Sequence, residues 1–283
     1  MQILINEPLK NYTSYKIGGN TPKMYIVNQI TDLDEISDND LQNTYILGNG
    51  TNILVSDNGL TKPVIKMDFK HFLLNELEQT LTIGAGFDLN EVIRLLAEKG
   101  YKGLNHLAGI PGSIGGAITM NASASHGSIL DYLINVEAYD KQAKLRRNFN
   151  YSECEFGFRS SIFQNSNWII TFVRFRLEKG NKDELIKSYK KNIDSREKNY
   201  PMILPSAGCW FKRDWGGKDI IKKIGMSGAI KGGAVVSPMF PAFILNANNA
   251  TTKDVYSLAK EIQDKAKAIN ENMPFEIITW GEI

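Results

Sequence analysis

Histidine and cysteine are scarce in this chain, three and two among 283 residues. His71, His106 and His126 form no His-x-x-x-His pair, and Cys154 and Cys209 lie far apart in unlike contexts. No metal-ligand spacing is present, so no metal site is expected. An excess of either charge is also missing. With 33 basic against 31 acidic side chains the net charge is +2, which gives no long-range attraction to nucleic acid or to an anionic membrane. No apolar run approaches the ~20 residues that span a bilayer, and the opening MQILINEPLK lacks an apolar stretch of signal-peptide length. These absences lead us to expect a cytoplasmic protein, a small-molecule partner, no nucleic acid and no membrane.

What remains is a chain with 42% hydrophobic residues and a length that holds roughly two domains by the usual prior. Short apolar runs at 24–28, 44–47, 53–55 and 64–67, separated by Gly, Asn and Asp, predict strands joined by turns. A strand is expected over 81–84. A helix follows, started by Asp88 with Glu91 three residues on, faced by Leu89, Val92, Ile93 and Leu96, and stopped at Gly100. Strands are expected over 134–140 and 168–177, where Val173, Phe175 and Leu177 alternate with Arg174 and Arg176. A lysine-rich helix with Ile186, Tyr189 and Ile193 on one side comes next. The last helix starts at Thr251 and Asp254 and carries Val255, Leu258, Ala259, Ile262, Ala266 and Ile269 on its core face. The class is α+β.

Two glycine-rich loops stand out. Residues 105–127 hold Gly109, Gly112, Gly115 and Gly116 around Pro111, and such density marks backbone that takes positive φ or comes close to something else, such as a cofactor. No Gly-Lys-Ser/Thr follows, so this is not a P-loop. The second loop, Gly48-Asn49-Gly50-Thr51-Asn52, follows a strand but lacks a third glycine and leads into another strand; a Rossmann fingerprint is therefore disfavoured. Both loops still offer amides suited to a pyrophosphate. The plainer alternative for each is a glycine turn packed under a neighbouring strand.

Three local patterns could carry chemistry. Arg159 lies between aromatics with Ser160 and Ser161 beside it, placed to hold a carboxylate or an oxyanion; a snorkelling, salt-bridged arginine is the alternative. Cys209 follows the small residues Ser206, Ala207 and Gly208 and precedes Lys212 and Arg213. It is either a proton donor or a small buried hydrophobe. Glu276 stands alone among apolar residues, where burial would raise its pKa toward that of an acid catalyst, unless it faces water on a strand.

Taken in order, Asn11-x-Thr13, Ile17-Gly18-Gly19, Gly48-x-Gly50-Thr51-Asn52, Gly109-Ile-Pro-Gly-Ser-Ile-Gly-Gly-Ala117, Phe158-Arg159-x-Ser161, Pro205-Ser-Ala-Gly208 and Phe275-Glu276 resemble the UDP-N-acetylenolpyruvoylglucosamine reductases. These are flavoproteins of peptidoglycan precursor synthesis. The likeness runs from about residue 8 to 281 and is to the shorter subtype, with no room between 163 and 201 for the longer one's insertion.

The resemblance implies a two-domain FAD-binding fold of the vanillyl-alcohol oxidase type plus a third, substrate-binding α+β domain. The expected boundaries are 1–69, 70–180 with 274–283 returning to it, and 181–273. It implies non-covalent FAD held by Asn49, Gly50, Thr51, Asn52, Ile110, Pro111, Gly112, Ser113, Gly115, Gly116, Ala117 and Asn121, with NADPH as reductant. Gly115 is expected where the backbone approaches the cofactor.

The substrate implied is a UDP-linked enolpyruvyl-glucosamine, acted on by a monomer. Hydride would come from flavin N5 and a proton from Cys209, which falls where the donor is usually serine. Arg159 and Glu276 match positions that stabilise the enolate, Lys212 would reach the diphosphate, and Ser161 would contact substrate.

Three segments depart from the family pattern. Asn-Ala-Gly-Ala-Tyr-Gly becomes Asn121-Ala122-Ser123-Ala124-Ser125-His126, Ser-x-Lys-His becomes Ser237-Pro238-Met239-Phe240, and Asp214 replaces a proline. These changes leave open an alternative, a flavin-dependent oxidase or dehydrogenase of the same fold acting on another small molecule.

Overall fold

A computed structural model describes residues 1–124 and 127–283 of the chain. Ser125 and His126, two of the departures from the family pattern, lie outside the described residues. The chain forms two compact units, one of Met1–Leu4, Lys23–Asn49 and Lys62–Ser195, the other of Ile5–Pro22, Gly50–Thr61 and Arg196–Ile283.

In the first unit Val64–Met67 lies between Asn20–Val27 and Tyr45–Leu47, parallel to both. A second, wholly antiparallel sheet has the order Arg146–Asn150, Leu133–Asp140, Trp168–Arg176, Thr80–Gly84, Phe72–Asn75. Its alternation follows the sequence: Val173 and Phe175 are fully buried, while the Arg174 guanidinium pairs with Glu78. The helix Leu89–Glu98 covers this sheet with Leu89, Val92, Ile93 and Leu96, all buried in one core with Leu81, Ile83 and Val173. It ends where Gly100 takes φ +76°, a left-handed stop that glycine adopts without strain. The Asp88 carboxylate caps it by accepting from the Glu91 amide at 3.0 Å. Among the described residues, however, the side chain that reaches Asp88 is Asn49, not Glu91.

The lysine-rich helix Lys182–Asn199 buries only Leu185, with Ile186, Tyr189 and Ile193 half-buried. It carries the chain from the first unit to the second.

In the second unit the helix Thr252–Lys267 starts with a full capping box. Thr251 Oγ1 accepts from the Asp254 amide at 3.1 Å, and Asp254 Oδ2 accepts from the Thr251 amide at 3.0 Å. Val255, Leu258, Ala259, Ile262 and Ala266 are buried as their spacing predicts. Ile269 falls beyond the helix end and is 37% exposed, because the turn at Asn270 (φ +61°) has already left helical geometry.

The strand Ile278–Trp280 runs parallel to Ile53–Val55, so the C-terminal segment joins a strand of the 1–69 stretch and not one of 70–180. Among the described residues no helix is long and apolar enough to cross a membrane, and no group of three His, Cys, Asp or Glu side chains is set to hold a metal ion.

Candidate active site

Gly48 and Asn49, which open the first glycine-rich loop, meet the second loop within the first unit. Gly48 leaves its strand so close to the second loop that a Cβ on it would stand 2.4 Å from Ser113 Oγ. Asn49 Nδ2 donates to Asp88 Oδ2 at 3.0 Å, and the Leu89 amide donates to the Gly112 carbonyl at 2.9 Å. Asp88 thus joins the two loops: its Oδ2 accepts from Asn49 of the first, its backbone bridges Ser113 of the second, and its Oδ1 caps its own helix.

Asn90 braces the far side. Its Nδ2 donates to the Ile110 carbonyl at 2.9 Å and its Oδ1 accepts from the Gly109 amide at 2.5 Å. Ser113 caps the short helix Ile114–Thr119, accepting from the Gly116 amide at 3.2 Å, while the Ala117 amide donates to the Ser113 carbonyl at 2.8 Å.

Sequence reasoning took Asp88 only as a cap and passed over Asn90. The available signal was two short polar side chains, two residues apart, opening a helix beside a glycine-rich loop.

Gly115 has a close neighbour in its own chain. A Cβ there would lie 2.9 Å from the Ala85 Cβ, and its amide donates to the Ala85 carbonyl at 2.8 Å. The close approach is to the protein's own chain. Gly116 is more open, since a Cβ on it would meet only Ser113 Oγ, at 3.3 Å.

Arg159 occupies a turn in the same unit with φ +52°, a conformation that a non-glycine residue adopts only when its surroundings compel it. Gln164 Nε2 holds the turn by donating to the Arg159 carbonyl at 3.0 Å and to the Thr119 carbonyl at 3.3 Å. The guanidinium Nη1 donates to Ser123 Oγ at 3.0 Å and to the Asn121 carbonyl at 3.4 Å. Ser161 is buried, and its hydroxyl donates to the Thr119 carbonyl at 2.8 Å; it ties this turn to the segment after the short helix. Asn121, itself left-handed at φ +44°, donates from Nδ2 to the Gly157 carbonyl at 2.9 Å. Its Oδ1 is a buried acceptor with no hydrogen-bond partner among the described residues. An acceptor left in this way is what a donor on a bound ligand would satisfy.

The second unit gathers Cys209, Lys212, Glu276 and Asn52. The Glu276 amide donates to the Trp210 carbonyl and the Lys212 amide to the Pro274 carbonyl, both at 2.8 Å, with Phe211 bridging Phe275. Segments 210–212 and 274–276 are therefore antiparallel neighbours. Asn52 adds to them: its Nδ2 donates to the Glu276 carbonyl at 3.2 Å and its carbonyl accepts from the Ile278 amide at 3.1 Å. Gly50 (φ +64°) presses on the Tyr12 carbonyl, to which a Cβ would come within 2.0 Å.

Trp210 and Phe211 are fully buried and anchor the segment. Trp210 Nε1 donates to the Tyr15 hydroxyl, which donates to the Ile244 carbonyl at 2.9 Å; complete burial pushes that hydroxyl well above an ordinary tyrosine's pKa. Glu276 is half-buried, between the two alternatives its sequence context left open.

Cys209 is a half-buried thiol. Gly216 lies against it: a Cβ there would stand 2.9 Å from both Cys209 Cβ and Sγ. Trp215, Gly216 and Gly217 form a left-handed run with φ +52°, +62° and +72°. The altered segment at 237–240 helps to build the thiol's surroundings, because Cys209 packs on a cluster that includes Phe240 and Phe243. The other cysteine differs in kind. Cys154 is fully buried, donates to the Asn150 carbonyl, and is pushed up by burial to about 11.

Loops joined through Asp88, an open glycine at a helix start and a buried unfilled acceptor suit a large polar cofactor. The FAD binding domain family matches residues 30–147, and the vanillyl-alcohol-oxidase-like fold is shared with a structure described as wild-type Phl p 4.0202, a glucose dehydrogenase (TM-score 0.50, 9% identity, 64% of this chain and 42% of that one). The chain is thus an FAD-binding oxidoreductase of α+β class.

Residues 199–273 match the family described as UDP-N-acetylenolpyruvoylglucosamine reductase, C-terminal domain. UDP-N-acetylenolpyruvoylglucosamine reductases of Alkaliphilus oremlandii (35% identity, 99% of this chain, 94% of the relative) and Petrotoga mobilis (35%, 97% and 94%) are similar over nearly their full lengths. The crystal structure of the Thermus caldophilus reductase superposes with a TM-score of 0.84 at 29% identity, covering 99% of this chain and 98% of that one. The chain belongs to the UDP-N-acetylenolpyruvoylglucosamine reductase family, and with that membership goes FAD as cofactor.

Proposed function

We propose that the protein reduces the enolpyruvyl group of a UDP-linked N-acetylglucosamine to a lactyl ether, giving the muramate precursor of peptidoglycan. In this reading it works as a cytoplasmic monomer. The observation that supports it most is the antiparallel pairing of 210–212 with 274–276, which sets Glu276 opposite Trp210, the residue that follows Cys209, within a chain that belongs to this family along its whole length.

FAD, when bound, would supply the hydride that reduces the enolpyruvyl double bond, with NADPH as its source. The chain's own residues supply what the hydride does not. Cys209 gives the thiol proton to the carbon next to the one that takes the hydride, so that one hydride and one proton saturate one double bond. A thiol is a stronger acid than the hydroxyl it replaces. Arg159 offers a permanent cation to the substrate carboxylate and to the charge that develops beside it. The family resemblance gives Glu276 a role at the enolate, and Lys212 meets the diphosphate as a point charge.

On the cofactor side, Asn49, Gly50, Thr51 and Asn52 with 110–117 line the pyrophosphate, and the free Asn121 Oδ1 suits an imide N–H of the ring. Ser161 contributes by fixing the turn that carries Arg159. The test is anaerobic turnover: NADPH should be consumed in proportion to added enolpyruvyl sugar nucleotide without oxygen. A requirement for oxygen would favour an oxidase of the same fold.

A further inference from the structure

Arg159 is held at both ends by the segment that follows the helix Ile114–Thr119. Its backbone is tied through Gln164 to the Thr119 carbonyl, and its guanidinium is tied to Ser123 Oγ and the Asn121 carbonyl. Ser123 opens the two-residue strand Ser123–Ala124, which pairs antiparallel with Gly127–Ser128 and sets Ser123 opposite Ser128. That pairing fixes the hydroxyl's place.

We propose that Ser123 is a positioning residue that sets the pose of the Arg159 guanidinium toward the substrate's enolpyruvyl carboxylate. The inference rests on the role given to Arg159 above. An arginine reaches its target through a long, flexible stem, and rotamer freedom lost before binding is not lost during it. Ser123 Oγ and the Asn121 carbonyl are neutral oxygens, so they orient the cation without cancelling its charge, as a carboxylate would. The Phe158 ring, 5.6 Å from the guanidinium carbon, supports one side of the same group. A neutral acceptor on a cationic donor is also among the stronger hydrogen bonds a side chain makes.

The experiment uses the flavin-loaded enzyme and follows two half-reactions by stopped flow: reduction by NADPH, then anaerobic reoxidation by the enolpyruvyl substrate. Ser123→Ala should slow reoxidation roughly 10–100-fold, the loss typical of a hydrogen bond to a charged group, with flavin content retained. Ser123→Thr, which keeps the hydroxyl, should recover most of that rate. In an Arg159→Ala background, Ser123→Ala should slow the step no further. Ser123→Gly replaces the alanine variant should that one fail to fold.

Parent-rate reoxidation by Ser123→Ala beside a slow Arg159→Ala would overturn the inference alone. So would a Ser123→Ala effect that persists undiminished without Arg159. Parent-rate reoxidation by Arg159→Ala itself would overturn the role given to Arg159 and the inference with it.

Discussion

Asn49 Nδ2 donates to Asp88 Oδ2 across 39 residues of chain, at 3.0 Å, while Oδ1 of the same carboxylate accepts from the Glu91 amide, also at 3.0 Å. One side chain thereby starts a helix and pins the first glycine-rich loop beside the second. The geometry of the cofactor loops depends on a residue that touches neither loop in sequence.

Asp88→Ala removes both bonds and should cost about 2 kcal/mol, a helix cap plus one net hydrogen bond. Asn49→Ala removes one and should cost about 1 kcal/mol. In the double variant the two losses should overlap, because the Asn49 bond is already gone with Asp88. Urea unfolding of the four proteins measures this, and strictly additive losses would show that the bond contributes nothing to stability.

Gly48→Ala places a Cβ 2.4 Å from Ser113 Oγ and should force the two loops apart at about 1–3 kcal/mol, the usual cost of overpacking. Gly116→Ala meets only a 3.3 Å contact and should be milder. Flavin absorbance per mole of purified protein is the readout. Full flavin content in Gly48→Ala would show that the cofactor does not depend on this approach.

Local patterns were legible in the sequence, and remote contacts were not. The Leu89, Val92, Ile93 and Leu96 stripe, the Val173 and Phe175 alternation and the Thr251–Asp254 cap each follow from periodicity or spacing within a few residues. The Asn49–Asp88 bond, the pressure of Gly50 on the Tyr12 carbonyl and the burial of Trp210 against Tyr15 join distant positions, and no local pattern encodes them. Gly115 shows the limit: a glycine reports that something is close, but here the neighbour is Ala85. Ser161, which the resemblance placed against substrate, directs its proton to the Thr119 carbonyl, another contact that no local pattern encodes.

Gly216→Ala puts a methyl group 2.9 Å from Cys209 Sγ at a left-handed φ of +62°, where a side chain is strained in any case. Ala242 Cβ is nearer still, at 2.6 Å, so the added methyl group presses on both neighbours and displaces the thiol. Reoxidation by the enolpyruvyl substrate should slow at least tenfold, as expected when a positioned proton donor is displaced, while reduction by NADPH keeps its rate. Equal slowing of both half-reactions would indicate general damage instead.

Asp254 is held below the usual carboxylate range, chiefly by the Thr251 amide that donates to it, with the Gly233 amide adding to this. A depressed native pKa stabilises the fold above the unfolded value, and the contribution is lost as pH falls through the native one. Asp254→Ala should therefore cost about 1 kcal/mol near pH 7. The gap should begin to narrow below about pH 4, the ordinary carboxylate value. Denaturant midpoints of both proteins from neutral pH downward test this, and a gap independent of pH would contradict the sign.

The central claim is tested most directly by mixing NADPH-reduced enzyme with the enolpyruvyl sugar nucleotide in the absence of oxygen and following the flavin absorbance. The parent should regain its oxidised spectrum as product forms. Cys209→Ala should be reduced normally but reoxidise ~10²–10⁴-fold more slowly, the range for a lost acid–base group, and Cys209→Ser should recover much of that rate. Reoxidation of Cys209→Ala at the parent rate would contradict Cys209 as the proton donor, and a parent enzyme that stays reduced until oxygen is admitted would contradict the reductase itself.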